Sequence, residues 1–284
     1  MLSIIICSRT NDINSEMREN ISKTIGTEHE WIIIDNSRLE YSIFSAYNMG
    51  VKKASGDICC FMHDDVLFHT NGWGSMIEHY FSNHRQVGMV GVAGTHFMPK
   101  APAAWWDSEV LSGHILQGST IEGQYKVKEI EWTKHKSAMT AVAAIDGFFM
   151  CIPRQLFGMI KWDECFSGFH GYDLDMSYQI WNAGYEIHIV WDILIEHRSM
   201  GVVQAAFWEA TNAVFNKWQE MLPLCKGVTM TVGEQEARTR LVEVKQELFL
   251  RHQALKEVYA STSFKIGNKL HSLTHLFHSK NNKL

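Results

Sequence analysis

The chain has 284 residues, 26 Lys plus Arg against 31 Asp plus Glu, a formal charge of −5 and 46% apolar residues. That composition is globular and long enough for a sizeable core in one large domain or two, which excludes wholesale disorder and collagen-like repeats. The acidic balance also argues against a nucleic-acid partner, which calls for a broad basic coat. The charge is uneven, because residues 261–284 hold four Lys and no acid and leave −9 on the first 260.

Leu2 to Cys7 reads as a buried strand closed by the polar turn Ser8 to Asn14. It lacks the charged flank of a signal peptide. A helix is expected over about 15–24, then a strand from Trp31 to Ile34 ending in Asp35-Asn36-Ser37. Phe44, Tyr47, Val51 and Ala54 at helical spacing predict a helix over 42–54, and Asp57 to Met62 a third strand broken at His63-Asp64-Asp65. This alternation predicts βαβ units and a mostly parallel sheet. In such sheets ligands bind beyond the carboxyl ends of the strands, where the clusters at 8–10, 35–37 and 63–65 all fall.

Further on, the pattern predicts a helix over 72–83, a strand over 87–93 and an irregular inserted region over 95–135 containing Trp105-Trp106. Apolar segments flank Asp146-Gly147, a helix is expected over 173–183, a strand over 186–190, and a short run from Ile193 leads into His197. Long helices follow at about 202–221 and 234–259, the second with an amphipathic stripe of Leu241, Val244, Leu248, Leu255 and Val258. The six cysteines form no C-x-x-C pair and fit free thiols in a reducing compartment. No apolar run reaches the length of a membrane span, so a cytoplasmic location is expected.

Two adjacent carboxylates after a buried strand, Asp64 and Asp65, repel one another unless donors or a cation meet them. Mg²⁺ or Mn²⁺ on a diphosphate suits such oxygen ligands, and a capped, solvated turn suits them equally. Asp173 and Asp175 open a helix two residues apart and therefore point away from each other. Either is a candidate general base, or simply favourable charge at a helix N-terminus. His197, after a strand, is a candidate metal ligand or a packed residue, and Arg198 a candidate phosphate donor. Trp105 and Trp106 are candidates for stacking on a sugar ring or for covering the core. There is no G-x-x-x-x-G-K-[ST] loop, no G-x-G-x-x-G fingerprint and no G-x-S-x-G elbow, so ATPase, dinucleotide oxidoreductase and α/β-hydrolase readings lose their usual support.

The order of these clusters resembles the inverting family 2 glycosyltransferases of the GT-A fold. The matching words are Ile32-Ile33-Ile34-Asp35-Asn36-Ser37, Ala46-Tyr47-Asn48-Met49-Gly50, Ala54-Ser55-Gly56-Asp57 and Met62-His63-Asp64-Asp65-Val66. The back half matches through Asp146-Gly147-Phe148-Phe149, Phe169-His170-Gly171-Tyr172-Asp173-Leu174-Asp175 and Ala183-Gly184-Tyr185. The His170 to Asp175 wording and Ile195-Glu196-His197 look closest to a bacterial glycosyltransferase-like subgroup. The resemblance implies an α/β, Rossmann-like, mostly parallel sheet flanked by helices. It implies a transferase domain over 1–205, with a helical extension over 206–260 and a basic amphipathic tail over 261–284.

The resemblance also implies a metal-dependent transfer of a sugar from a UDP- or GDP-sugar to a saccharide or lipid-linked acceptor, in bacterial surface polysaccharide or glycoconjugate synthesis. Asp173 would be the catalytic base. Ser8, Arg9, Asp35 and Asp64 would meet the nucleotide, and Asp65 and His197 would hold Mn²⁺ or Mg²⁺. Asp146 and Gly147 would lie beside the donor sugar, with Trp105, Trp106 and Asp175 as further donor or acceptor contacts. The chain departs from the family pattern at His63, where another Asp is common, at Tyr172, where Glu is usual, and at Gln179, where a phosphate-facing Arg often stands. Those departures support one alternative, a non-catalytic nucleotide-sugar-binding scaffold. A nucleotidyltransferase would need a Gly-rich loop, and Ser8 to Asn14 has no Gly. In the tail, Ile266, Leu270, Leu273 and Phe277 share one helical face among lysines, a pattern for peripheral contact with anionic lipid or for packing on the preceding helix.

Overall fold

A computed structural model describes residues 1–132, 139–201 and 204–269. By its contacts the chain divides into two compact units, Met1–Thr239 and Arg240–Leu284. The first unit begins β1 (Leu2–Ser8), α1 (Ser15–Thr24), β2 (His29–Asp35), α2 (Ile43–Lys53), β3 (Ile58–Met62), β4 (Val66–Phe68) and α3 (Trp73–Asn83). Next come β5 (Val87–Gly91), β6 (Ala93–Thr95), β7 (Phe97–Met98), β8 (Leu111–Ile121), β9 (Gln124–Trp132), β10 (Met139–Ala141), β11 (Ala144–Ile145) and β12 (Phe149–Pro153). It closes with α4 (Tyr172–Asn182), β13 (Glu186–Val190), β14 (Ile195–His197), α5 (Ala205–Trp218), β15 (Leu224–Cys225) and the start of α6 (Val232–Ala260).

The central sheet has seven strands in the order β10-β13-β5-β12-β3-β1-β2. Strands β1, β2 and β3 run parallel, as do β5 and β13. Leu2, Ile4, Ile5 and Ile6 of β1 are fully buried, because helices cover both faces of a strand in this setting. The sheet is mostly parallel with two reversed strands: β1, β2, β3, β5 and β13 share one direction, and β10 and β12 oppose it. Strand β12 lies antiparallel between β3 and β5. It arrives from β11 through the three residues 146–148, too few for the helical crossover that a parallel strand requires.

A second sheet, in the order β11-β6-β8-β14-β4 with β9 paired to β8, takes β8 and β9 from the region expected to be irregular. Strands β8 and β9 form a hairpin from Gly113↔Trp132 to Ile121↔Gln124. Its turn is Glu122-Gly123, both at positive φ (51° and 78°), the geometry whose twist suits a two-residue hairpin. The hairpin is hidden from pattern reading because most of β9 is exposed, so no apolar face marks it.

Several of the family-like words are packing devices. Asn48 donates to the Trp162 carbonyl (2.8 Å) and accepts from the Trp162 amide (3.2 Å), pinning the 162–164 segment to α2. Gly50 lets α2 lie on β1, since a Cβ there would strike Ile5. Helix α1 is capped by Asn14 and α2 by Ser42. All six cysteines are free thiols.

The second unit continues α6, with Leu248, Leu250, Leu255 and Val258 exposed, and 262–269 is helical. Most of the expected basic tail, including Leu270, Leu273 and Phe277, lies outside the described residues. No helix among the described residues is long and apolar enough to cross a membrane.

Candidate active site at the strand ends

The site forms where the two sheets meet. The His63 amide donates to the Phe148 carbonyl (3.0 Å), carrying the β3–β12 ladder one step past β3 and setting His63 beside the 146–148 turn. The chain then turns through Asp64 and Asp65 into β4, which pairs antiparallel with β14 so that Val66 lies opposite His197. The Arg198 amide donates to the Asp65 carbonyl (3.0 Å), closing that ladder at its end. Two registers thus deliver His63, Asp65 and His197 to one point.

Their ligand atoms all lie within 4.8 Å of one another. His63 Nδ1 is 3.2 Å from His197 Nε2, which is 3.6 Å from Asp65 Oδ1. His197 is buried and stacks on Phe148 (4.8 Å between ring centres). Burial lowers His63 below the ordinary imidazole value and brings His197 down to about 4, so both rings are neutral near pH 7 and offer lone pairs. Asp65 Oδ1 is buried without a hydrogen-bond partner. An unpaired carboxylate oxygen facing two neutral imidazoles fits a divalent cation, because each of the three can offer it a lone pair.

Beside this cluster lies a cavity of about 300 Å³ lined by Ser8, Arg9, Asn36, Asp64, Asp65 and Ser199, with Leu39, Phe169 and Tyr172 among its apolar walls. The Arg9 amide (2.9 Å) and Nε (3.0 Å) donate to Asp64, and its Nη2 reaches Asp65 (3.2 Å). Arg9 thereby offsets the repulsion between the two carboxylates from the solvent side. Asp35 ends β2 opposite Ser8 but is exposed, and its carboxylate accepts the Ser37 amide (2.9 Å), which lowers its pKa. A larger hollow of about 630 Å³ lies at the other end of the strands, among Asp57, Arg85 and Arg154. Those side chains are exposed and converge on no ligand set, so the chemistry belongs to the smaller cavity.

Helix α4 brings a second group of residues to the seam. Its N-cap is Gly171 (φ 75°), with no side-chain cap and two acids in the first turn. The Tyr172 hydroxyl lies 2.7 Å from His63 Nε2. Gly147 makes room for it, because a Cβ there would collide with the Tyr172 ring. Burial pushes the Asp173 carboxyl up to about 6, with the Leu174 and Gly147 amides pulling the other way. Asp146 is pushed up to about 7, first by burial and then by the charge of Asp173. A half-buried carboxylate poised near neutral pH is suited to take a proton.

Asp175 faces the other way. It is buried and accepts from Lys217 Nζ, Trp218 Nε1 and Gln179 Nε2, each at 2.7 Å, tying α4 to α5. Gln179 is therefore occupied within α4, and Arg198 is spent on Glu16 (2.6 and 2.8 Å) and Glu196 (3.3 Å). Trp105 is buried, edge-on to Trp106 and Trp132. Trp106 is 39% exposed and stacks on Phe207, whose ring also meets His170. Sequence reading missed Leu39, Phe169 and Ser199 as cavity walls. It also missed Gln117, whose amide clamps the His197 and Ser199 carbonyls (3.1 and 2.8 Å). No motif marks these residues, and Gln117 acts only through the β8–β14 pairing.

A two-sheet α/β core with acids and imidazoles gathered at its strand ends is the architecture of the GT-A glycosyltransferases. Solved structures share the fold. GalNAc-T7 with UDP, GalNAc and Mn²⁺ superposes with a TM-score of 0.53 at 13% identity over 78% of this chain and 49% of that one. S. aureus TarS 1-349 gives 0.52 at 11% identity over 93% and 76%. The chain spans about half the length of the GalNAc-T7 structure. It belongs to the family described as Glycosyltransferase like family, whose model matches residues 3–253. No curated protein matches it in a sequence comparison.

Proposed function

We propose that this chain is a metal-dependent, inverting glycosyltransferase that moves a hexosyl or N-acetylhexosaminyl group from a UDP- or GDP-sugar to an acceptor hydroxyl. The observation that carries the proposal is the adjacency of two groups: a carboxylate raised to about 6 at Asp173, and the His63, Asp65 and His197 cluster, bridged by the Tyr172–His63 contact. GalNAc-T7, which shares the fold, is solved with UDP and Mn²⁺, in keeping with a nucleotide and a metal at this site. Bound Mn²⁺ or Mg²⁺ would be held by Asp65 and His197 and would offset charge on a departing diphosphate.

The chain's own residues supply the rest. Ser8, Arg9 and Asp64 line the cavity that takes the nucleotide, with Asp35 at its edge. Asp173 accepts the proton of the acceptor hydroxyl as that oxygen attacks the anomeric carbon, so a single displacement inverts the configuration. Asp146 and Gly147 face the donor sugar, and the exposed ring of Trp106 offers a platform to a saccharide acceptor. A cytoplasmic role in bacterial surface polysaccharide or glycoconjugate synthesis follows from this reading. So does peripheral membrane contact through 261–284, which equal liposome pelleting of the full chain and a 1–260 truncation would rule out.

A panel of UDP- and GDP-sugars with Mn²⁺ or Mg²⁺, offered with saccharide and lipid-linked acceptors, tests the central step. Nucleoside diphosphate release with a product of inverted anomeric configuration is expected. Binding of nucleotide without release from any donor would favour the scaffold alternative.

A further inference from the structure

Asp65 and His197 suffice for the metal role proposed above, yet a third side chain points into the same space. We infer that His63 is a third protein ligand, oriented by Tyr172, and that its nitrogen biases the site toward transition-metal ions such as Mn²⁺ over Mg²⁺. The inference rests on the metal reading of Asp65 and His197.

The spacing is that of one coordination sphere. Ligands bound at about 2.1 Å sit about 3.0 Å apart at octahedral right angles and about 3.4 Å apart in a tetrahedron. His63 Nδ1 and His197 Nε2 are 3.2 Å apart, and Asp65 Oδ1 is 3.6 Å from His197 Nε2. Asp65 Oδ1, buried and without a hydrogen-bond partner, marks the same point independently.

The outer contact occupies Nε2 of His63 and leaves Nδ1 facing the cluster. Tyr172 is wedged among Phe44, Tyr47 and Trp162, with ring centres 6.5, 5.9 and 6.2 Å away. Its hydroxyl meets His63 Nε2 at 2.7 Å and can accept the proton of that nitrogen, the tautomer in which the Nδ1 lone pair turns inward. Metal-binding imidazoles are held by such contacts, and Tyr172 is therefore a positioning residue. Two imidazoles and one carboxylate suit Mn²⁺, Co²⁺ or Zn²⁺. Mg²⁺ prefers oxygen ligands and sheds its water reluctantly.

The test uses the full chain and Mn²⁺ alone, followed by electron paramagnetic resonance, with pulsed measurement of the nitrogens coupled to the bound ion. Wild type should bind Mn²⁺ without nucleotide, show two imidazole nitrogens and be displaced poorly by Mg²⁺. His63→Ala, or His63→Asn if Ala compromises folding, should show one nitrogen and bind Mn²⁺ about 10–100-fold more weakly. Tyr172→Phe keeps the ring packing and should bind about tenfold more weakly while retaining both nitrogens. His63→Asp should narrow the Mn²⁺ preference over Mg²⁺.

Unchanged affinity and two nitrogens in both His63 variants overturn the inference, as does equal wild-type affinity for the two ions or no binding of Mn²⁺ alone. Asp65→Ala and His197→Ala distinguish the two levels. If they abolish Mn²⁺ binding while His63 variants are silent, the metal site stands and only the third ligand falls. If all are silent, the metal-dependent reading fails with it.

Discussion

Asp173 and Asp175 stand two residues apart in the first turn of α4, and the fold puts them in opposite situations. Asp175 is buried against α5 and accepts three hydrogen bonds, two of them from Lys217 and Trp218. Asp173 faces the 146–148 turn, where burial outweighs the nearby amides and holds its carboxyl up to about 6. Identical side chains on one helical turn thus differ in what meets them: an ammonium, an indole and a side-chain amide at Asp175, backbone amides at Asp173. A fully bonded carboxylate is a strut, and an under-bonded one near neutral pH is a reagent.

Substitutions should split the two. Asp173→Asn is expected to lower transferase turnover by about 10²–10⁴-fold, the usual worth of a general base, while the protein folds normally by circular dichroism. Asp175→Ala should do the reverse. Loss of that carboxylate leaves the Trp218 indole without its acceptor and Lys217 with Asp163 alone, and should cost about 2–4 kcal/mol in urea unfolding, with turnover per folded molecule unchanged. If Asp175→Ala abolished turnover in a stable protein, the division between strut and reagent would be lost.

Gly147→Ala sharpens the comparison from the cleft side. Its Cβ would meet the Tyr172 ring, and overpacking of that kind costs about 1–3 kcal/mol. Because Tyr172 also reaches His63, turnover should fall along with stability. A smaller effect is expected from the raised carboxyls themselves. The folded state binds protons at Asp146 and Asp173 more tightly than the unfolded chain, so their contribution favours folding at acid pH and is lost as pH rises through about 6 to 7. Asp146→Asn should accordingly flatten the fall in melting temperature between the ordinary carboxylate range and about pH 7, read by calorimetry.

Much of the fold was legible because local patterns agreed with it. The apolar runs at β1, β2 and β3 and the spacing of α1 and α2 predict their elements to within a few residues. The β8–β9 hairpin was not legible, since most of its outer strand faces solvent and only the Glu122-Gly123 turn gives it away. At the site, the sequence placed the acids and His197 at strand ends. Spacing alone left open which of Asp173 and Asp175 faces the cleft, because a two-residue offset fixes opposition but not direction, and only the family resemblance pointed to Asp173. The sequence marked His63 as a departure from the family pattern but not as a neighbour of His197, because the two meet through the pairing of β4 with β14 and sequence spacing carries no trace of that register.

The pH dependence of single-turnover sugar transfer tests the central claim most directly, because it reads the protonation of the group that does the work. Asp173 must be ionised to accept a proton, so its raised value predicts a rate that falls about tenfold per unit below a midpoint near pH 6. The residual rate of Asp173→Asn should lack that limb. A midpoint in the ordinary carboxylate range, or the same limb persisting in Asp173→Asn, would contradict the account.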